Sequence, residues 1–192
     1  LDAAVTARDT AAVAKTLPPA FDVMVPAGLG VALAEMVGAE LGAMVLEGPS
    51  SQIALRLALQ AAQPQVVTHP PKDATPVDLW LLSFASGEPE SAPPQGRGEE
   101  RAAALFPAFL GASETNVPPA TADLIQGNKR GEAMLAAIAD TDAGLDGDLA
   151  RAAQGLRSLR ALGQHEIARQ AAVELILAPA IMPRPGDTPP QR

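Results

Sequence analysis

The sequence contains no cysteine and no tyrosine, and its aromatic side chains are limited to four phenylalanines and one tryptophan among 192 residues. The absence of cysteine excludes disulfide bonds, thiolate nucleophiles and cysteine-ligated metal or iron–sulfur sites, and it leaves the cellular compartment open. Only two histidines are present, so few of the usual groups for acid–base catalysis are available. We therefore expect a protein that is not an enzyme, with no catalytic, cofactor-binding or metal-ligating residue.

Basic residues are also scarce, because 14 Lys and Arg are outnumbered by 22 Asp and Glu, giving a formal net charge of −8. Nucleic-acid binding relies on neutralising phosphates with basic side chains, so nucleic acid is not an expected partner.

The most membrane-like run, residues 29–46, includes Glu35 and Glu40. A carboxylate in hydrocarbon costs about 2.5 kcal/mol or more, so we predict a soluble helix there rather than membrane insertion. We expect both glutamates to face solvent, although their separation of about 140° would let one approach the interior.

Hydrophobic residues make up 47% of the chain, with alanine and leucine recurring at steps of three and four. This pattern predicts an all-α protein of short antiparallel helical hairpins, arranged as an irregular array or a repeat solenoid. Proline and glycine clusters separate the expected helices. The first helix should end before Pro18, the second should cover 31–46, and the third should cover 52–62 with Ser50 or Ser51 as its N-cap.

Four of the five aromatic residues occur in two pairs at helical spacing. Trp80 and Phe84 are four residues apart on a short helix whose capping-box pattern begins at Thr75, and Phe106 and Phe109 are three apart on the next helix. We expect these four rings to anchor the core.

Composition divides the chain into four parts. We predict an N-terminal helical part at 1–86, a flexible Pro/Gly-rich linker or loop at 87–100, a C-terminal helical part at 101–178, and an extended tail at 179–192. The two helical parts could form one continuous domain. Because the chain begins at Leu1 without a signal-peptide pattern, we expect it to be a fragment of a longer polypeptide.

The C-terminal half has the most regular periodicity. A helix over 127–139 would place Met134, Leu135 and Ile138 on an apolar face. A second helix should begin near Asp148. Its apolar stripe consists of Leu149, Ala152, Leu156, Leu159 and Leu162.

Gly163 should end that helix, since glycine readily adopts the left-handed conformation found after a helix terminus, and a partner helix should run from 164 to 178, before Pro179. The run LRALGQHEIARQAAVELILAP, residues 159–179, resembles the second helix of tetratricopeptide-like helical-hairpin repeats. The resemblance lies in the Leu-Gly pair, in Ala168 five residues after Gly163, and in the closing proline. It implies an interaction scaffold that binds peptides or partner proteins in a concave groove.

One histidine-containing segment is similar to part of a zinc-binding motif. His165-Glu166 matches the start of the zinc-protease motif H-E-x-x-H, but Arg169 stands where the second histidine is needed. The other histidine, His69, lies in a proline-rich segment. We therefore predict that His165 is a surface residue at the beginning of a helix.

The sequence PAGLG at 26–30 carries the alternative interpretation, an α/β nucleotide- or metabolite-binding domain centred on residues 20–75. The strands of such a domain would be residues 21–25, 43–48 and 65–71. The third glycine of the dinucleotide-binding fingerprint falls on Leu33, and Glu47 is the only candidate for the ribose-binding acid. A helix-breaking turn is therefore the preferred interpretation.

An acidic cluster precedes the helix expected at Asp148. It consists of Asp140, Asp142, Asp146 and Asp148. A calcium loop counted from Asp140 would need a glutamate at its twelfth position, which is Arg151 here. We therefore expect Asp146 or Asp148 to cap a helix instead.

These observations favour a noncatalytic protein–protein interaction or structural scaffold domain whose partner is a protein or a peptide. The sequence identifies no partner-binding residue. Besides the α/β alternative, a region that only spaces or supports other domains would explain the same composition.

Overall fold

The computed structural model describes residues 1–62, 64–67, 69–87, 92–95, 99–111 and 116–183. Over these ranges it contains ten α-helices, two short 3₁₀ helices and no strand. The predicted all-α fold is therefore confirmed, and the alternative α/β domain over residues 20–75 is wrong. None of the helices in these ranges is long and apolar enough to cross a membrane.

The helices follow one another at short intervals. In the first half they are α1 (Asp2–Thr6), α2 (Thr10–Met24), α3 (Gly30–Gly42), α4 (Pro49–Gln60) and α5 (Pro76–Ala85), with a 3₁₀ helix at Pro64–Val66. In the second half they are α6 (Glu100–Leu105), α7 (Pro119–Gln126), α8 (Arg130–Asp142), α9 (Leu149–Ala161) and α10 (His165–Ile181), with a 3₁₀ helix at Phe106–Phe109.

The chain forms two compact units. The N-terminal unit combines residues 1–86 with the end of α10 from Leu177 onward, and the C-terminal unit covers residues 87–176. The predicted extended tail is wrong at its start, because residues 179–181 belong to α10. Most of the remaining tail, residues 184–192, lies outside the described residues, as do 88–91 and 96–98 of the predicted linker.

Helix α2 continues through the prolines that were predicted to end the first helix. Pro18 and Pro19 lie inside it, and Pro18 has no N–H to donate to the carbonyl of Ala14 four residues earlier. The Ser50 hydroxyl donates to that carbonyl at 3.1 Å. Ser50 therefore has a role other than the predicted one, since Gly48 is the N-cap residue of α4 and no side chain caps that helix.

Helix α10 passes its proline in a similar way. Pro179 lies inside the helix, and its missing N–H leaves the carbonyl of Leu175 without its helical donor. The Arg101 guanidinium donates to that carbonyl at 3.0 Å. In both helices, a side chain distant in sequence replaces the hydrogen bond that proline removes.

In the N-terminal unit, α3 and α4 approach closely through small residues. Ala34, Gly38 and Gly42 recur every four residues on the buried face of α3. A methyl group at Gly38 would lie 2.5 Å from the carbonyl oxygen of Leu57, and one at Gly42 would lie 2.9 Å from the Cβ of Ala58. Only glycine permits this spacing between the two helices.

The two aromatic pairs are buried, as predicted, but they belong to different units. Trp80 and Phe84 stack with ring centroids 5.1 Å apart in the N-terminal unit. Phe106 and Phe109 are buried in the C-terminal unit. They lie on a 3₁₀ helix that contains Pro107 rather than on a continued α-helix. The four rings therefore anchor two cores rather than one.

Helix α8 buries a different face from the one predicted. Leu135 and Ile138 are 70% and 45% exposed, whereas Ala133, Ala137 and Thr141 are buried. The cause is the close packing of α9, where a methyl group at Gly155 would lie 2.5 Å from the backbone nitrogen of Thr141. Large side chains do not fit at such a contact, so they occupy the outer face.

Helix α9 has the buried face and the C-terminal end that the sequence predicts. Ala152, Leu156, Leu159 and Leu162 are buried, and Leu149 is half-buried. Gly163 has a φ of +83° and ends the helix as predicted. Its N–H donates to the Arg160 carbonyl, and the N–H of Gln164 donates to the Leu159 carbonyl, each at 2.9 Å. This pair of hydrogen bonds is the Schellman arrangement that glycine favours.

Candidate functional site: a proline-lined pocket in the N-terminal unit

The N-terminal unit contains a pocket of about 520 Å³. This volume lies within the range of roughly 300–1,000 Å³ that is typical of ligand sites. Five of its lining residues are prolines: Pro18, Pro26, Pro49, Pro179 and Pro183. The other apolar lining residues are Phe21, Val25, Ile53 and Ala180. We refer to this cavity as the proline pocket.

Helix ends and the two helical prolines bring these rings together. Pro18 and Pro179 lie within α2 and α10, and Pro49 is the first residue of α4. Pro26 and Pro183 follow the ends of α2 and α10. Each ring fixes its backbone φ and offers no N–H donor. The wall is therefore stiff, and its proline rings can contribute apolar contact but no backbone hydrogen-bond donor.

A carboxylate stands at one side of the proline pocket. Asp73 is exposed in the segment that precedes α5, and the Gln52 side-chain amide donates to its Oδ2 at 3.2 Å and to its backbone carbonyl at 3.3 Å. The hydroxyl of Ser51 lies 3.4 Å from Oδ1 but is closer, at 2.6 Å, to the carbonyl of Gly48. The Asp73 carboxylate is therefore held against α4 by a neutral donor.

Among the described residues of the lining, the cation is Arg56, which faces a buried acid. The Nε of Arg56 lies 3.9 Å from Oδ1 of Asp78, whose side chain is 7% exposed. The other oxygen of Asp78 accepts hydrogen bonds from the N–H and the hydroxyl of Thr75, at 3.1 and 2.8 Å. These bonds complete the capping box predicted at the start of α5. In the described part of the lining, the other charged residues are Asp22 and Asp73, both of which are exposed.

The glutamates of α3 do not contribute to the pocket. Glu35 and Glu40 are both exposed, which confirms the prediction that they face solvent. The turn predicted at 26–30 is also confirmed, because α2 ends at Met24, Gly28 has a φ of +77°, and α3 begins at Gly30. The proposed first strand, residues 21–25, is wrong since most of it belongs to α2.

The segment that is similar to the zinc-protease motif begins at the surface. His165 is exposed at the first position of α10, as predicted, and Glu166 forms a 3.0 Å ion pair with Arg169. Arg169, which stands in place of the second histidine of the zinc motif, thus pairs with Glu166, the glutamate that follows His165. Within the described ranges, no group of three His, Cys, Asp or Glu side chains is placed to hold a metal ion.

The acidic cluster stabilises the start of α9. The side chain of Asp148 accepts a hydrogen bond from the backbone N–H of Arg151, confirming the predicted cap. Oδ1 of Asp140 accepts a 2.7 Å hydrogen bond from Nε of Arg151, and this contact raises the pKa of the Arg151 guanidinium. Arg151, which occupies the twelfth position counted from Asp140, therefore supplies the positive charge beside these acids.

The sequence pattern does not predict the proline pocket. It predicts helix ends before Pro18 and Pro179, which would place these two rings in loops, whereas both lie inside helices. No local signal identifies the pocket, because its walls come from parts of the chain that lie far apart in sequence. The observation closest to a signal is the density of prolines, of which the chain has 19.

Comparisons with protein-family models, curated proteins and solved structures give no match to this chain. The resemblance of residues 159–179 to tetratricopeptide-like repeats stays a prediction. Function is therefore inferred from the residues of the chain itself.

Proposed function

We propose that this protein is a noncatalytic interaction module that binds a short apolar segment of a partner protein in the proline pocket. The observation that carries the proposal is the lining itself, which includes five prolines together with apolar residues such as Phe21 and Ile53. Apolar contact with a stiff wall supplies binding free energy, and little conformational entropy is lost because the wall is already ordered.

The chemistry of the lining supports binding rather than catalysis. Among the described residues, the polar side chains of the lining belong to Asp22, Gln52, Arg56 and Asp73, and none belongs to serine, threonine, histidine or lysine. Gln52 is bonded to Asp73, and Arg56 is directed toward Asp78. The polar groups thus support one another, while the apolar surface is available to a ligand. The resemblance to helical-hairpin repeats implies the same class of function.

A displayed library of random dodecapeptides, selected on the full chain, tests this proposal. We expect enrichment of peptides that bind in the proline pocket, and we expect Ile53→Asp to weaken their binding at least tenfold, because it places a charge on the apolar wall. Leu135→Asp is the matched control, since Leu135 is 70% exposed in the C-terminal unit and lies outside the lining. Affinity is measured by fluorescence anisotropy, and circular dichroism checks that each variant is folded.

The milder variant Ile53→Thr keeps the test valid if the aspartate variant does not fold. The proposal is wrong if no peptide is enriched, or if the enriched peptides bind wild type and both Ile53 variants equally well. Stabilisation by small apolar compounds without any enriched peptide would instead assign the pocket to a small-molecule ligand.

A further inference from the structure

The charge of the proline pocket provides information about its ligand that the apolar wall does not. Asp73 is exposed and is oriented by two hydrogen bonds from Gln52, a residue of α4. An amide donor fixes the direction of a carboxylate without cancelling its negative charge. Asp73 therefore presents a full charge from a defined position on the pocket lining.

In the described part of the lining, the positive charge is directed elsewhere. Arg56 faces the buried Asp78, whose other oxygen accepts hydrogen bonds from Thr75. A buried carboxylate needs an opposing cation, so the Arg56 charge offsets that of Asp78. The exposed carboxylate of Asp73 thus gives the described part of the lining a negative charge, and the whole chain has a net charge of −8.

We infer that the partner segment carries a lysine or arginine next to its apolar side chains, and that Asp73 receives this basic side chain. The inference rests on the proposed function, because it names the chemistry of the segment that the same pocket binds. A basic side chain also suits the apolar walls, since the aliphatic part of lysine or arginine packs on apolar surface while its charged end reaches a carboxylate. An acidic segment would meet the carboxylate of Asp73 at the pocket and be repelled.

The test uses a peptide from the display selection described above, together with a copy in which glutamine replaces its basic residue. We expect Asp73→Asn to lower the affinity for the basic peptide by about two- to fivefold at low salt, the range for an exposed ion pair. The same substitution should leave the affinity for the glutamine peptide unchanged. Raising the salt concentration to 0.5 M should remove most of the difference, because exposed charges are then strongly screened.

Glu35→Gln is the matched control. It changes the net charge by the same amount, but Glu35 is exposed on α3 and lies outside the pocket lining. The inference is overturned if the selected peptides lack basic residues, if glutamine substitution in the peptide has no effect, or if the two protein variants weaken binding equally. Peptides that depend on Ile53 but not on Asp73 would leave the proposed function standing. Failure to enrich any peptide would remove both.

Discussion

The two units bring helices together through glycine, yet they differ in where their large apolar side chains lie. In the N-terminal unit, α3 and α4 meet at Gly38, and leucines such as Leu33 and Leu57 are almost fully buried beside that contact. In the C-terminal unit, α8 and α9 meet at Gly155, while Leu135 and Ile138 of α8 face outward. A glycine contact sets the distance between two helices but does not decide which other faces are covered.

The number of neighbours explains this difference. Helix α3 packs against α1 and α2 as well as α4, so large side chains on more than one of its faces find a partner. Helix α8 packs mainly against α7 and α9. Its buried stripe therefore consists of alanine and threonine at the glycine contact, and the opposite face keeps large apolar residues that the unit itself does not cover.

The strongest test of this comparison is Gly155→Ala. The added methyl group would lie 2.5 Å from the backbone nitrogen of Thr141 and 2.7 Å from the carbonyl oxygen of Ala137. Backbone atoms of a packed helix cannot move aside easily, so we expect a loss of about 2–3 kcal/mol in the free energy of unfolding. Urea denaturation followed by circular dichroism measures the change.

Gly131→Ala provides the control, because Gly131 lies on α8 with no atom near the position of an added methyl group. That substitution should stabilise the protein by about 0.5–1 kcal/mol, since alanine loses less backbone entropy in a helix than glycine does. If both variants had the same stability, the two helices would not be as close as Gly155 requires.

A second difference between the units concerns the donor that replaces the hydrogen bond lost at a helical proline. The N-terminal unit uses the Ser50 hydroxyl for the Ala14 carbonyl, and the C-terminal unit uses the Arg101 guanidinium for the Leu175 carbonyl. Ser50→Ala should lower the free energy of unfolding by about 1 kcal/mol, the net value of a typical hydrogen bond. In a Pro18→Ala background, where the backbone N–H is restored, Ser50→Ala should lower the free energy of unfolding by a smaller amount.

The double-mutant cycle isolates this coupling from the other effects of removing proline. Ser51→Ala serves as the control, because the Ser51 hydroxyl donates to Gly48 rather than to α2. Its cost should be the same with or without Pro18. Additive effects of Ser50→Ala and Pro18→Ala in thermal unfolding would show that the hydroxyl does not compensate for the proline.

Features that depend on a few neighbouring residues could be predicted from the sequence. The capping box at Thr75, the cap at Asp148 and the helix end at Gly163 each require only residues within one helical turn. The continuation of α2 through Pro18 could not be predicted, because the compensating donor, Ser50, lies 36 residues beyond Ala14. Rules based on neighbouring residues include the hydrogen bond that proline removes from a helix. They do not include a hydroxyl from a distant part of the chain that replaces it.

The same limit applies to the exposed face of α8 and to the proline pocket. Periodicity correctly placed Leu135 and Ile138 near each other, but it does not indicate which face a neighbouring helix covers. That choice depends on Gly155, a residue of a different helix. The pocket depends on segments that are further apart still, from α2, α4, the loop before α5 and the end of α10.

The smallest expected effect belongs to the outer face of α8. Leu135→Gln replaces a side chain that is 70% exposed, so we expect the free energy of unfolding to change by no more than about 0.5 kcal/mol. Met134→Gln, at the adjacent half-buried position, should cost more because it removes packing as well as hydrophobicity. Urea denaturation of the two variants gives the comparison directly. If both variants lost the same substantial free energy of unfolding, the outer face of α8 would be covered in solution. The contrast between the units would then reflect a missing neighbour of α8 rather than its own packing.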